Sequence, residues 1–216
     1  MKTEELIQQL AGQPGPVHRL AAPWQRTLLW LALSAAYAAL FVFFSRTELS
    51  WPMTDKRYVL ELIATGATAI TAAIAAFCSV IPGYHRKWLW LPVVPLAVWL
   101  AALGEGCVHD WLQAGRGALT LRDDWDCVES AAVIGIIPAF LIVFMLRRGA
   151  PLVPHASLAL AAVAVAALSN FVMRLHHYGD ASIIILVWHL GSVLLVALIA
   201  SAFGSRLLKW RHKRTA

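Results

Sequence analysis

Two cysteines and the polar side chains around them give one stretch of this chain the residue types for thiol or metal chemistry. The stretch runs from Gly104 to Ser130 and carries Cys107 near one end and Cys127 near the other. Thiolates bind soft and borderline metal ions such as Cd²⁺, Cu⁺ and Zn²⁺, and paired thiols can be oxidised to a disulfide. The stretch therefore predicts a sensing or redox element.

Three interpretations fit Cys107 and Cys127. A structural disulfide between them would close a loop of about 20 residues and stabilise the fold by ~3 kcal/mol. The pair could instead respond to redox conditions, or supply thiolate ligands to a soft metal ion. The candidate further ligands are imidazole and carboxylate groups that we expect on the same side of the molecule as the two cysteines: His109, Asp110, Asp126, His176 and His177. The spacing matches no zinc signature, so only the residue types support a metal site.

Long apolar segments flank the cysteine stretch and fill most of the chain. Of the 216 residues, 60% are hydrophobic and 14% are charged, whereas soluble domains carry about 25% charged residues. A helix needs ~20 residues to cross ~30 Å of hydrocarbon. Six runs approach that length: 27–45, 58–82, 88–104, 130–146, 155–173 and 183–204. The sequence therefore predicts an all-α membrane protein with six transmembrane helices, the short third and fourth of which extend into the cysteine stretch.

The distribution of charge predicts the orientation of these spans. With six spans both termini lie on one side, and twelve of the 18 Lys and Arg residues fall there. Ten of the 12 Asp and Glu residues fall on the other side, or near the ends of the spans that face it. The positive-inside rule then places both termini in the cytoplasm and the cysteine stretch outside. Topology and lipid headgroups account for the net charge of +6, so no nucleic-acid partner is needed.

The predicted organisation has three parts. Residues 1–26 form a cytoplasmic segment, residues 27–204 form the six-helix domain with an outer cysteine loop at 105–129, and residues 205–216 form a basic cytoplasmic tail. The first apolar run lacks a small-residue cleavage site, which favours a retained anchor over a signal peptide.

The cytoplasmic segment begins with TEELIQQLAGQ, which predicts a short amphipathic helix. Thr3 can cap it, and Leu6, Ile7 and Leu10 share one face. The following GQPGP ends the helix, because two prolines and two glycines cannot continue it. So short a helix is marginal alone in water. Two interpretations remain open: a helix lying on lipid headgroups, and a peptide that folds in the groove of a soluble partner.

Within the spans, residue types mostly indicate packing. The second span is rich in small residues that let another helix approach closely: Thr65, Gly66, Ala69, Ala72, Ala73 and Ala76. Cys78 is expected to be a buried apolar residue. Glu61, one turn inside the outer end, either reaches the surface or is paired within the bundle. His189 is expected to hydrogen-bond a neighbouring helix, with Asn170 as one partner.

Prolines predict bends in the helices beside the cysteine stretch. The third span contains Pro92 and Pro95, and the fourth contains Gly135 and Pro138. A proline removes a backbone donor and tends to kink the helix that contains it. Such bends are compatible with a movable element.

The chain carries no motif of a familiar enzyme class. It has no HExxH, no phosphate-binding glycine loop, no CxxC and no Ser-His-Asp order. Most spans lack polar residues at mid-depth, which a transport pathway needs. A membrane thiol oxidoreductase and a metal-ion permease using Cys107, Cys127 and His189 remain as alternatives. The layout favours a transmembrane signal relay that is not an enzyme.

Several short motifs resemble one family over nearly the whole chain. They are ELIQQLAGQPGPVHRLAAP, PGYHRKWLWLP, WLAALGEGCVHDW, CVESAAVIGIIPA, RRGAPLVP, DASIIILVWHLGS and GSRLLKW. In order and topology they are similar to the six-span membrane anti-sigma factors of the NrsF type, the negative regulators of sigma F.

The resemblance implies a function for both ends of the relay. It implies an anti-sigma factor that holds an extracytoplasmic-function sigma factor at the bacterial inner membrane. The sigma-binding residues would be apolar anchors within residues 3–20, namely Leu6, Ile7, Leu10, Val17 and Leu20. It also implies that Cys107 and Cys127 sense heavy-metal or oxidative stress. Some members carry a further cysteine ahead of the last span, where this chain has His176, His177 and Tyr178, so a metal site completed there would use imidazoles.

Overall fold

A computed structural model of the chain is built of helices connected by short segments. It describes residues 3–12, 20–45, 55–115, 125–150 and 153–176, together with Gly191, Leu198 and Ala202. The helices are α1 (Thr3–Ala11), α2 (Pro23–Ser45), α3 (Lys56–Cys78), a short 3-10 helix (Arg86–Trp90), α4 (Val93–Ala114), α5 (Trp125–Leu146) and α6 (Pro154–His176). The described residues contain no strand.

Five segments of the described residues are long and apolar enough to cross a membrane. They are Pro23–Phe44, Lys56–Cys78, Arg86–Gln113, Glu129–Leu146 and Pro154–Leu175. They correspond to the first five predicted spans, so the all-α fold and five segments of membrane-spanning length and composition are confirmed for this part of the chain. The sixth predicted span, 183–204, lies mostly outside the described residues, and so does the basic tail.

Contacts between helices define the two ends of the bundle. At one end, which we call the near end because it adjoins the N-terminal segment, Arg26 contacts Met145, and the Ser79 and Ser157 hydroxyl oxygens are 2.7 Å apart. At the other, the far end, Tyr58 contacts Arg174. The charge distribution predicts that the near end is cytoplasmic.

Helix α3 lies at the centre of the bundle because its small side chains let other helices approach. It packs most extensively against α6, and it also contacts α2, α4 and α5. Ala69, Ala72, Ala73 and Ala76 are buried. A Cβ atom on Gly66 would lie 3.4 Å from the Phe171 ring of α6. The close packing predicted from the small residues of this span is confirmed.

The largest apolar cluster lies toward the near end, where large side chains from four helices meet. Its bulky members are Trp30, Phe77, Ile142, Leu146 and Leu158. The Trp30 indole also donates a 3.0 Å hydrogen bond to the Pro138 carbonyl inside α5. Cys78 is buried beside this cluster with 3% of its surface exposed, as predicted for a small apolar residue.

Two prolines of the third span lie at the start of α4. Pro92 is the N-cap of α4 and Pro95 is its third residue. The first N–H groups of a helix have no intrahelical acceptor, so a proline there costs no helical hydrogen bond. Pro92 and Pro95 therefore do not kink the interior of α4; they lie where the 3-10 helix of this span gives way to α4, and the bend of the span stays a prediction. Pro138 does lie inside α5.

The helices beside the cysteine stretch extend into it, as the short third and fourth runs predicted. Helix α4 continues to Ala114, and α5 begins at Trp125. Cys107 therefore lies within α4 and Cys127 in the first turn of α5, rather than in the loop expected at 105–129. The connecting residues 116–124 lie outside the described part of the chain.

Candidate functional site

The position of Cys107 within a continuous helix restricts which side chains can join it. Successive helical residues are separated by about 100°, so two residues two positions apart lie on opposite sides of the helix. Cys107, which is half-buried, and the exposed His109 are therefore directed away from each other on α4. His109 instead pairs with Gln113, with 2.8 Å between the two Nε2 atoms. Helical geometry separates these two predicted ligands.

The other predicted ligands can be placed only in part. Asp110 is three residues after Cys107 and shares its side of α4 by helical register. The side chains of Asp110, Cys127, Asp126 and His176 lie outside what the structure describes, and so do His177 and His189 entirely. Among the described residues, no three His, Cys, Asp or Glu side chains form a group that could hold a metal ion. The metal site stays a prediction.

The cysteine-bearing helix is joined to α3 by an ion pair. Glu105, two residues before Cys107, accepts a 3.3 Å hydrogen bond from the guanidinium of Arg57 in the first turn of α3. That turn is fixed locally, because the Asp55 side chain caps α3 by accepting the Arg57 N–H at 2.9 Å. The pair is exposed, and exposed pairs contribute at most ~1 kcal/mol, so it adds a weak polar contact to the packing of α3 against α4.

A second, buried ion pair joins α3 to α6 at the far end. Arg174 Nη2 donates to Glu61 Oε2 at 2.8 Å, and the two side chains are 13% and 6% exposed. The Tyr58 hydroxyl donates a 3.0 Å hydrogen bond to the Arg174 carbonyl. Of the two interpretations of Glu61, pairing within the bundle is therefore the correct one. We call Arg57, Tyr58, Glu61, Glu105 and Arg174 the far-end cluster.

The sequence contained little to indicate the partner of Glu61. Arg174 is 113 positions away in the sequence. Charges inside a membrane are usually paired. The sequence places an acid inside one apolar run and a base near the same depth of another, and these two positions were the only indication of the pair. Such a pair holds two helices in one register, but it has no adjacent nucleophile or base in the described residues that would indicate catalysis.

The near end contains a buried cation that sequence reasoning did not single out. Arg26, in the first turn of α2, is 6% exposed, and its Nη2 donates to the Met145 carbonyl at the end of α5. Its guanidinium carbon lies 4.5 Å from the centre of the Phe77 ring, at the end of α3. The carbonyl end of a helix carries partial negative charge, and an aromatic face attracts cations. Arg26 therefore joins the ends of three helices.

The predicted amphipathic helix of the N-terminal segment is confirmed. It spans Thr3–Ala11, and it carries Glu4 and Glu5 in its first turn. Ile7 is 59% exposed, and Leu20 is also exposed. The side chains of Leu6 and Leu10, and the whole of Val17, lie outside what the structure describes. None of the extensive helix contacts among the described residues involves α1.

Comparison with known proteins identifies the family. Neither the curated proteins nor the solved structures gave a match. Residues 10–210 match the model of the family described as NrsF, negative regulator of sigma F. The match covers most of the N-terminal segment and all the helices from α2 onward, and it confirms the resemblance found in the sequence motifs. The chain belongs to the NrsF family, the negative regulators of sigma F.

Proposed function

We propose that the chain is an anti-sigma factor of the bacterial inner membrane that sequesters an extracytoplasmic-function sigma factor. The observation that carries this proposal is the family match over residues 10–210, because the family is described as a negative regulator of a sigma factor. Five long apolar helices support a membrane location. The excess of Lys and Arg near the termini supports placing the near end in the cytoplasm, where a sigma factor is found.

The sigma factor binds residues 3–20. An amphipathic helix that lays its apolar face into a groove is a common recognition mode, and α1 has the required periodicity at Leu6, Ile7 and Leu10. The exposed Ile7 and Leu20 give it apolar surface to bury, and Val17 is the further proposed anchor. A segment this short orders on binding rather than folding beforehand.

Release follows from heavy-metal or oxidative stress at Cys107 and Cys127. Cys107 lies on α4, the helix that the Glu105–Arg57 ion pair connects to α3. Modification of the cysteines, or their capture of a soft metal ion such as Cd²⁺, Cu⁺ or Zn²⁺, shifts α4 relative to α3. Asp110 and Asp126, and an imidazole from His176 or His177, are the proposed additional ligands. A tenfold release of the partner needs only ~1.4 kcal/mol of coupling between the two sites.

Transcription profiling of cysteine variants tests this proposal. We expect Cys107→Ser and Cys127→Ser each to make one regulon either constitutive or unresponsive to CdCl₂ and to a thiol oxidant. Cys78→Ala is the matched control, because Cys78 is buried at the near end, and it should respond as the wild type does. A regulon whose induction is unchanged in both serine variants would count against sensing at these residues.

We propose further that the protein acts without catalysis and without direct nucleic-acid contact. The alternatives are a thiol oxidoreductase and a metal-ion permease that uses Cys107, Cys127 and His189. Uptake of labelled Cd²⁺ by vesicles containing the purified protein, or thiol oxidation lost in Cys107→Ser, would favour an alternative.

A further inference from the structure

Helix α3 makes one contact at each end with a part of the proposed relay. In its first turn, Arg57 binds Glu105 of the cysteine-bearing helix at 3.3 Å. In its last turn, the Phe77 ring lies under the guanidinium of Arg26 at 4.5 Å. Between Arg57 and Phe77 the helix is uninterrupted and spans about 30 Å, at 1.5 Å per residue. A movement of α4 at the far end can therefore reach the near end through one rigid element.

Arg26 contacts α3 at the end where such a movement would arrive. It is the fourth residue of α2 and follows directly on the N-terminal segment. Among the described residues, its guanidinium contacts the Met145 carbonyl of α5 and the Phe77 ring of α3. A change in the position of either helix therefore acts, through Arg26, on the first turn of α2 and on residues 20–22, which precede that turn.

The surroundings of Arg26 are not those of a residue optimised for stability alone. It is almost fully buried, yet its Nη1 atom has no hydrogen-bond partner among the described residues. Leaving a buried donor unpaired lowers stability, and an apolar side chain of similar volume would avoid this. The near-end Ser79–Ser157 contact, in comparison, joins only α3 to α6 and does not reach the N-terminal segment.

We propose that Arg26 is a positioning residue that couples α3 and α5 to the sigma-binding segment. This inference rests on the proposed function, because it names the route by which that segment is regulated. The Phe77 ring and the Met145 carbonyl hold α2 in the orientation that presents α1. When α3 shifts, this contact changes, and residues 20–30 change their orientation and exposure.

Hydrogen exchange measured by mass spectrometry on the full chain in nanodiscs tests the proposal without a sigma factor. In the wild type, CdCl₂ should change amide exchange both around residues 105–129 and in residues 20–30, the latter by about fivefold or more, as typical coupling between sites gives. In Arg26→Gln, the change around 105–129 should persist and the change at 20–30 should be lost. Arg26→Lys keeps the positive charge but lacks the planar guanidinium group, so it should retain only part of the change in exchange at residues 20–30.

Two further variants keep the test decisive. Phe77→Leu leaves the Arg26–Met145 hydrogen bond in place and should also lose the response at 20–30, even if Arg26→Gln fails to fold. Tyr37→Phe is the matched control, because it removes a 2.8 Å side-chain bond from α2 to the Val133 carbonyl of α5 that does not involve α3. It should respond as the wild type does.

The outcomes separate this inference from the proposed function. A full response at 20–30 in both Arg26→Gln and Phe77→Leu would overturn the role of Arg26. A wild type that responds at 105–129 but not at 20–30 would also overturn it, while sensing at the cysteines would stand. A wild type that responds at neither segment would contradict the proposed sensing itself, and with it the route that depends on it.

Discussion

Arg174 of α6 donates a 2.8 Å hydrogen bond to Glu61 of α3, and this pair is the only one between two largely buried charged side chains among the described residues. It links the two helices that pack most extensively against each other. Breaking a buried pair by removing one partner leaves an uncompensated charge, whereas replacing both partners by apolar residues is often nearly neutral.

We therefore expect Arg174→Leu to destabilise the bundle by about 3–5 kcal/mol, because Glu61 is left buried without its partner. The double variant Glu61→Leu/Arg174→Leu should be more stable than Arg174→Leu alone. Denaturant unfolding in a mild detergent measures the free energy of unfolding of all three proteins. If the double variant were less stable than the single one, the buried charge would not be the cause of the loss.

Gly149 lies at a close approach of the two near-end connections. A Cβ atom there would come within 2.7 Å of the Val80 Cβ and 2.9 Å of the Val80 carbonyl oxygen, which already accepts the Ala150 N–H. Because backbone cannot move aside as a flexible side chain can, Gly149→Ala should lower the free energy of unfolding by about 1–3 kcal/mol.

Gly104→Ala provides the control for that substitution. Gly104 is inside α4, and no other helix among the described residues has an atom within 4 Å of its added Cβ, so alanine should be neutral or stabilising by about 0.5–1 kcal/mol through its better helix propensity. Thermal unfolding of the two variants side by side gives the comparison. Equal stability of the two would contradict the packing seen between Val80 and Gly149.

Helical geometry makes a prediction about metal binding. Because Cys107 and His109 lie on opposite sides of α4, His109→Ala should leave the affinity for Cd²⁺ essentially unchanged, while Cys107→Ser should weaken it by about tenfold or more, or ~1.4 kcal/mol. Isothermal titration of the purified chain with CdCl₂ measures both. An equal loss in the two variants would place both side chains on one ion and would require α4 to unwind there.

Sequence patterns predicted the features that depend on local periodicity. Spans of about 20 apolar residues, the 3.6-residue period of α1 and the small residues of α3 report the length and surface of single helices. The family was also predictable from the sequence, because its short motifs can be recognised by their order along the chain. The extension of α4 past Cys107 followed from length alone, since an apolar run of 88–104 is too short to span.

Features that depend on contacts between distant residues were not predictable in the same way. The sequence allowed two interpretations of Glu61, and only its contact with Arg174 decides between them. The sequence also contained no sign that Arg26 differs from other cations near a membrane boundary, because its contacts with Met145 and Phe77 join distant parts of the chain. The effect of Pro92 and Pro95 depended on where α4 begins, and a shift of a few residues changes a kink into a helix start.

The proposed function requires the N-terminal segment to hold a sigma factor through its apolar face, and the affinity of the chain for that sigma factor tests this requirement. A sigma factor is first sought by affinity purification of the full chain from its host, and the full chain in nanodiscs is then titrated with the sigma factor recovered. Ile7→Asp is compared with Gln8→Asp, which introduces the same charge at an exposed polar neighbour. We predict that Ile7→Asp weakens binding by about tenfold or more, because ~1.4 kcal/mol is less than burial of an isoleucine contributes. Gln8→Asp should bind nearly as the wild type does. If Ile7→Asp bound the sigma factor with the affinity of the wild type, the proposal that this apolar face binds the sigma factor would be contradicted.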